Sequence, residues 1–312
     1  MLALLLTACG GGGDGSEGVS VVPGATPTPN PSPSPSPTSS PSPAPGPSTG
    51  EIKPTTDAIV GAATLELTRL EKTTSARFVQ ADPTFQLSYA SASRTYTLSD
   101  PFRTQSFGPA QFVEETNAPA IPPAVTWRST TADGTNFLLI AKAPNAMPPV
   151  VPKFGAYGAW QHTTEQAGGS RIRLNYFTYG SPTPLNAMPH SGTVKYRVVG
   201  TGNYARDNGL SLSQSDTVVD VDFSTGIVTA LHSLTGNDFL TGGFGGLIGF
   251  RIRGTISGNV VLGHIDSDIA TVSGRFKFIF YGPNADELAL VTSGGDSHES
   301  FVTAGVGVRY QP

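Results

Sequence analysis

The sequence predicts an all-β protein, in which an irregular β-rich region is followed by a C-terminal eight-stranded antiparallel β-barrel, both carried on a disordered Pro/Ser-rich tether. Three observations predict it. From about residue 190 onward, short runs alternate apolar and polar side chains and are separated by turn residues, the period of a half-buried strand. Charged residues make up only 13% of the chain, and its 37 glycines accompany abundant Val, Thr, Tyr and Phe, a composition of strands and tight turns. Residues 10 to 56 hold Gly, then Ser, Thr and Pro, with too little apolar surface to offset the entropy of ordering.

The chain opens Leu4-Leu5-Leu6-Thr7-Ala8-Cys9-Gly10, an apolar run closing in small residues before the only cysteine, and this resembles a bacterial lipobox. The expected cut falls between Ala8 and Cys9, so residues 1–8 are read as a signal peptide and Cys9 as the site of lipidation. Several acyl chains on one residue make a stable anchor, at about 0.8 kcal/mol per buried methylene. A single cysteine excludes an internal disulfide. No Lys or Arg precedes the apolar run, the pattern of a signal peptide truncated at its start.

Residues 9–56 then read as a linker, with Ser-Pro alternation from Pro31 to Pro37 and again around Pro41 to Pro47. Such a segment favours extended polyproline II, and at about 3.1 Å per residue its Pro-rich half spans on the order of 80 Å. A stalk that lifts a module off a membrane fits that length better than a ligand for an SH3-type groove. The net charge of -4 and scattered Lys and Arg show no basic stripe, which argues against nucleic acid as a partner.

Residues 57–190 read as an irregular β-rich domain. Asp57 to Leu70 is expected as a short helix, with Ile59, Ala62 or Ala63, Leu67 and Leu70 on one side. Candidate strands are Phe85 to Tyr89, Arg94 to Leu98, Asn136 to Lys142 and Arg171 to Tyr179, interrupted by Pro-rich loops at Ala118 to Ala124 and Ala143 to Pro152. Residues 191–312 read as the barrel. Its strongest run is Arg275-Phe276-Lys277-Phe278-Ile279-Phe280-Tyr281, with three Phe on one face. The others are Thr193 to Val199, Thr217 to Phe223, Gly226 to Ser233, Leu247 to Ser257, Asn259 to Ile265, Glu287 to Thr292 and Phe301 to Tyr310. Closure of such a series removes exposed strand edges.

The chemistry-bearing clusters are weak. Gly294-Gly295-Asp296-Ser297-His298-Glu299 has a Ser beside a His but no orienting third group or oxyanion hole, and reads as a polar hairpin connection, leaving a hydrolase as a distant alternative. His264, Asp266 and Asp268 alternate onto one face as metal ligands would, yet also spell a solvated turn. Gly242-Gly243-Phe244-Gly245-Gly246 lacks the Lys and the helix of a phosphate loop and reads as a mobile loop tip. Phe154, Tyr157 and Trp160 suit core packing or a contact patch. His162 and His190 are candidate haem or metal ligands, although lone histidines are more often surface or core residues. The lack of paired carboxylates, a Cys-His set or a cofactor fingerprint favours a binder over an enzyme.

Three segments carry a family resemblance. Gly274 through Tyr281 continuing as Gly282-Pro283-Asn284-Ala285-Asp286-Glu287 resembles a late barrel hairpin whose strand ends in a Tyr-Gly-Pro-x-Ala-x-Glu turn. Tyr179-Gly180-Ser181-Pro182-Thr183-Pro184, leading through Met188-Pro189-His190 to Tyr196, is similar to a handle-to-barrel junction, and Val219 to Gly226 to an early barrel hairpin. The family is that of the single-lobe relatives of transferrin-binding protein B, bacterial surface lipoproteins, and the likeness covers roughly residues 150 to 312. It implies a handle followed by an eight-stranded barrel, an outer-membrane anchor facing the cell surface, and capture of a partner protein, an iron-carrying protein or haem. In some members a TonB-dependent receptor accepts the cargo. An adhesin or host-factor binder with no small cargo needs the same scaffold. Glu287-Leu288-Ala289-Leu290-Val291 departs from the pattern by lacking the glycines that usually follow the acidic residue.

Overall fold

A computed structural model describes residues 53–54, 59–70, 74–79, 84–116, 124–141, 151–206, 209–237, 244–266 and 272–310. Cys9, the tether and most of both Pro-rich loops lie outside the described residues. Two sheets and a closed barrel are stacked in layers, all within one compact unit. Among the described residues no helix is long and apolar enough to cross a membrane.

The handle is built on β1 (Ile59–Leu70), β2 (Thr74–Val79), β6 (Phe112–Thr116), β7 (Ala124–Thr131), β8 (Gly134–Ala141), β9 (Gly155–Gln166) and β10 (Gly169–Gly180). They form one seven-stranded sheet in the order β2-β1-β10-β9-β8-β7-β6. A second sheet of three strands, β3 (Gln86–Ala90), β4 (Thr95–Asp100) and β5 (Arg103–Phe107), covers one of its faces. Phe85, Tyr96, Leu98 and Phe107 pack there against Trp127, Leu138, Trp160, Phe177 and Tyr179. Trp160 and Tyr157 thus serve as core, on opposite faces of β9.

The expected helix over Asp57 to Leu70 is instead the strand β1, antiparallel to β10 along its whole length and to β2 over its second half. Both of its faces are covered. Ala63, Leu65 and Leu67 point toward the barrel, while Ala62 and Thr64 are buried on the other side. A strand buried on two faces carries apolar residues at odd and even spacings alike, and that pattern mimics a helical stripe.

The barrel closes in chain order from β11 (Thr193–Arg206) through β12 (Gly209–Asp222), β13 (Ile227–Asn237), β14 (Phe244–Ser257), β15 (Val260–Asp266), β16 (Ser273–Tyr281) and β17 (Glu287–Gly295) to β18 (Glu299–Tyr310). All eight expected runs are strands, and Phe276, Phe278 and Phe280 share the buried interior. The first hairpin is longer than the pattern predicts. Its inward positions there include Gly200, Gly202, Ser211, Ser213 and Ser215, and Tyr204 alone is a large side chain, too little to give an apolar alternation. Phe244, Gly245 and Gly246, expected in a mobile loop tip, open β14 and pair with β13; Gly242 and Gly243 lie outside the described residues.

Glycine lines the seam where β18 meets β11. A Cβ on Gly200 would fall 2.1 Å from the Ala304 carbonyl oxygen, and one on Gly307 2.1 Å from that of Arg197. The backbones approach there closer than any side chain allows, which lets the sheet coil shut. The outer face of this seam meets the handle: Ile279, Tyr281, Ala289, Val291, Val302, Ala304 and Val306 pack against Leu65, Leu67, Tyr157, Leu174 and Tyr176.

One carboxylate ties the two parts together. Glu287 is buried, and its oxygens accept from the backbone N–H groups of Lys153 (2.5 Å), Phe154 (3.1 Å) and Gly155 (2.8 Å), where the chain enters β9. Burial raises its pKa and the three donors lower it, with burial the larger effect. The turn before it is equally specified. Gly282 takes φ of 84°, and the Ala285 carbonyl accepts from Tyr196 Oη (2.5 Å) and Arg309 Nε (3.1 Å).

Candidate functional site

Asp100 ends β4 and Arg103 begins β5, leaving a two-residue tip of Pro101 and Phe102. Asp before Pro is a turn initiator, and here the side chain does the work of holding it: Asp100 Oδ1 accepts from the backbone N–H of Phe102 (2.9 Å) and of Arg103 (3.0 Å). The other oxygen, Oδ2, accepts from Arg173 Nε (2.9 Å) and Asn175 Nδ2 (3.3 Å) on β10. Arg173 also donates to Glu66 on β1, and Asn175 Oδ1 accepts from Thr64 Oγ1 at 2.7 Å. Five side chains from three strands therefore brace one hairpin tip.

The brace is buried and the tip is not. The Asp100 and Arg173 side chains are 0% and 7% exposed, whereas Phe102 is 70% exposed, the most of any large apolar residue described. The Arg173 guanidinium lies over the Phe102 ring, 4.5 Å from its centroid. A cation on the ring face holds an aromatic in place at about 0.5–1 kcal/mol where exposed. Around it stand Arg171, which is largely exposed and 3.7 Å from Glu66, and Arg103, whose pKa is lowered chiefly by burial. A rigid, solvent-facing aromatic beside arginines has the character of an interface anchor, because little further ordering entropy is lost on contact.

His162 lies in the same layer, across the β9–β10 ladder from Arg173. It is buried, with Nδ1 3.0 Å from Asn136 Oδ1 and Nε2 2.9 Å from Thr164 Oγ1. The Trp160 indole donates to the same Asn136 oxygen at 3.1 Å, so that oxygen is the acceptor and His162 donates from Nδ1. Burial, with Arg103 next in weight, lowers the His162 pKa and keeps the ring neutral. An axial bond to haem iron from Nε2 would require giving up the Thr164 contact. His190 stands exposed in the segment between β10 and β11, on a different element, so the two histidines do not form one site.

The other clusters resolve into structure. Asp296 Oδ1 accepts from the backbone N–H of His298 (2.7 Å) and Glu299 (2.9 Å), which makes the Ser297 loop a capped hairpin turn. His264 is exposed on the outer barrel wall; Asp268 lies outside the described residues. Among the described residues no three His, Cys, Asp or Glu converge on a metal position. Sequence reading missed Phe102, Asp100, Arg173 and Glu66. The Asp-Pro-Phe order was the available signal, a turn initiator followed by an aromatic at the tip.

No family model matches the chain, and no curated protein matches its sequence. Solved structures similar to it include intact Ap-TbpB with N and C lobes, at 10% identity and a TM-score of 0.43, covering 84% of this chain and 79% of that one. A transferrin binding protein B double mutant from Haemophilus parasuis Hp5 is similar at 11% identity and a TM-score of 0.42, over 83% and 77% of the two chains. The N-lobe of lactoferrin binding protein B of Moraxella bovis is similar at 13% identity and a TM-score of 0.38, over 80% and 99%. The handle-and-barrel architecture itself stands on the ladders described above.

Proposed function

We propose that this chain is a lipid-anchored surface protein that binds a partner protein and catalyses no reaction, with the Phe102 hairpin at the centre of the contact. The observation that carries the reading is the pairing of a 70% exposed aromatic with a buried Asp100–Arg173 ion pair. A fold under no functional demand gains nothing from holding Phe102 in water, and the buried charges behind it are costly to desolvate. Through the sequence resemblance, the partner is an iron-carrying protein, and Cys9 bears the acyl chains that hold the module at the outer membrane. A TonB-dependent receptor would take the cargo onward.

The test is a binding panel on the full chain. Transferrin, lactoferrin and haem-carrying proteins are passed over immobilised chain, beside a Phe102→Ala form that keeps its thermal midpoint. Binding of one of them that weakens at least about tenfold in Phe102→Ala supports the reading, since an anchor residue contributes about 2 kcal/mol or more. Equal binding by both forms moves the contact away from this hairpin. Failure of every iron carrier would leave the adhesin reading, tested by adherence of cells expressing either form. Palmitate labelling of the chain and of Cys9→Ser decides the anchor separately.

A further inference from the structure

The wall of the barrel opposite the handle differs from the rest of the surface. The handle covers β16, β17, β18 and β11, so in a closed barrel of eight strands β13 and β14 lie diametrically across from it. Outward positions there form rows across the ladders: Leu231 beside Arg251, Thr229 beside Arg253, and Ile227, Thr255 and Leu262 in line. His264 and Arg275 pair on the next strands over. Arg251, Arg253 and His264 are exposed, and Leu231 and Leu262 are 61% and 62% exposed.

On the neighbouring pair β11 and β12 each outward cation has its acid: Arg197 meets Asp216 at 2.6 Å, and Lys195 bonds Asp220. On β13 and β14 the outward cations are Arg251 and Arg253, and Asp266, at the end of β15, lies in register with Arg251. Among the described side chains no carboxylate pairs with Arg251 or Arg253. In a chain of net charge -4, a face that gathers cations with protruding leucines is segregated against the overall trend.

We propose that this far wall, with Arg251, Arg253, Leu231 and Leu262, rests on the anionic headgroup surface of the membrane to which the chain is tethered. The proposal rests on the reading of Cys9 as an anchor, which keeps a bilayer always within reach. Arginines that meet phosphates while apolar neighbours enter the headgroup layer are the chemistry of an interfacial contact. The layering supplies a geometric reason. Handle sheet and three-stranded sheet are stacked on the opposite side of the barrel, so a module resting on its far wall turns Phe102 away from the membrane. The tether allows it: Lys53, under the rings of Tyr89 and Tyr96, starts the body on the three-stranded layer, and residues 10 to 52 could reach on the order of 130 Å when extended. That exceeds the thickness of a barrel and two sheets packed about 10 Å apart.

Vesicle co-sedimentation of the full chain carrying Cys9→Ser tests the contact without the acyl chains. Vesicles of phosphatidylcholine alone are compared with phosphatidylcholine mixed with phosphatidylglycerol. The wild-type surface should bind the mixed vesicles, lose that binding in high salt, and lose about tenfold or more in Arg251→Glu/Arg253→Glu with the circular dichroism spectrum intact. Leu262→Ser, less disruptive to the charge balance, should weaken it several-fold. Equal partitioning to both vesicle types, or unchanged binding by the charge-reversed form, overturns the proposal. So does capture of poly-glutamate without vesicle binding, which would assign the wall to an acidic protein. Each of these outcomes leaves the lipidation of Cys9 to its own labelling test.

Discussion

The barrel and the handle sheet are both antiparallel, yet they are made differently. Every barrel strand pairs with its neighbours in chain order, and only the seam between β11 and β18 joins distant residues. In the handle sheet β1 pairs with β10, setting Thr64 beside Asn175 and Glu66 beside Arg173. The barrel wall also keeps solvent on its far side, whereas the handle sheet lies between two apolar layers. A strand with one wet face alternates; a strand with two dry faces does not. The difference accounts for which strands the pattern reveals, and for where charge is buried: the ionic brace formed between the handle sheet and the three-stranded layer that covers it.

The comparison breaks most severely if the core of the barrel is not where its stability resides. Phe278 is fully buried, and Phe278→Ala should cost about 3–5 kcal/mol in chemical denaturation. A loss below about 0.5 kcal/mol would mean the three phenylalanines do not fill the interior. In the handle the matching experiment is Asp100→Ala, which leaves Arg173 buried with only Glu66 and removes both turn bonds. Breaking a buried pair from one side costs about 3 kcal/mol, and the same change should release the Phe102 tip, seen as faster amide exchange at Phe102 and Arg103.

Acid sharpens the contrast from within the barrel. His232 points inward beside Phe250, with Nδ1 2.7 Å from Thr217 Oγ1, and burial pushes its pKa down to about 3. Its folded pKa lies below the unfolded value near 6.5, so the unfolded chain binds the proton first. Stability should therefore decline as pH falls below about 6.5, by roughly 2–3 kcal/mol near pH 4.5 from this residue. In His232→Gln that slope should flatten, as measured by urea midpoints across pH. An unchanged slope would place the acid sensitivity elsewhere. The smallest expected effect belongs to the exposed tip. Phe102→Ala should change stability by no more than about 1 kcal/mol, because only its ring contact with Arg173 is lost. A larger loss would make Phe102 a structural residue and weaken its reading as an anchor.

The barrel's eight strands were legible from alternation, and the three phenylalanines of β16 carried the clearest signal. The alternation faded where Gly200, Gly202 and the inward serines of β12 line the interior, so the first hairpin was read too short. In β16 itself, Ile279 and Tyr281 are apolar on the outward face because the handle covers them. The handle was legible only in pieces, and β1 was mistaken for a helix for the same reason. Of the candidate site, the Asp-Pro-Phe turn was visible in the chain, whereas the brace behind it was not.

By itself the sequence determined what local chemistry determines: the all-β class, the number and order of the barrel strands, and the turns that join them. These follow from side-chain period and turn residues, which act over a few positions. Only the tertiary structure decided that Glu287 would cap the backbone of Lys153 to Gly155, 132 to 134 residues away. It alone decided that Asp100, Arg173 and Glu66 would meet beneath Phe102, and that one barrel wall would be covered and the opposite one left bare. Contacts between residues so far apart have no signature in either strand alone, because they depend on which faces the layers bring together once the chain has closed.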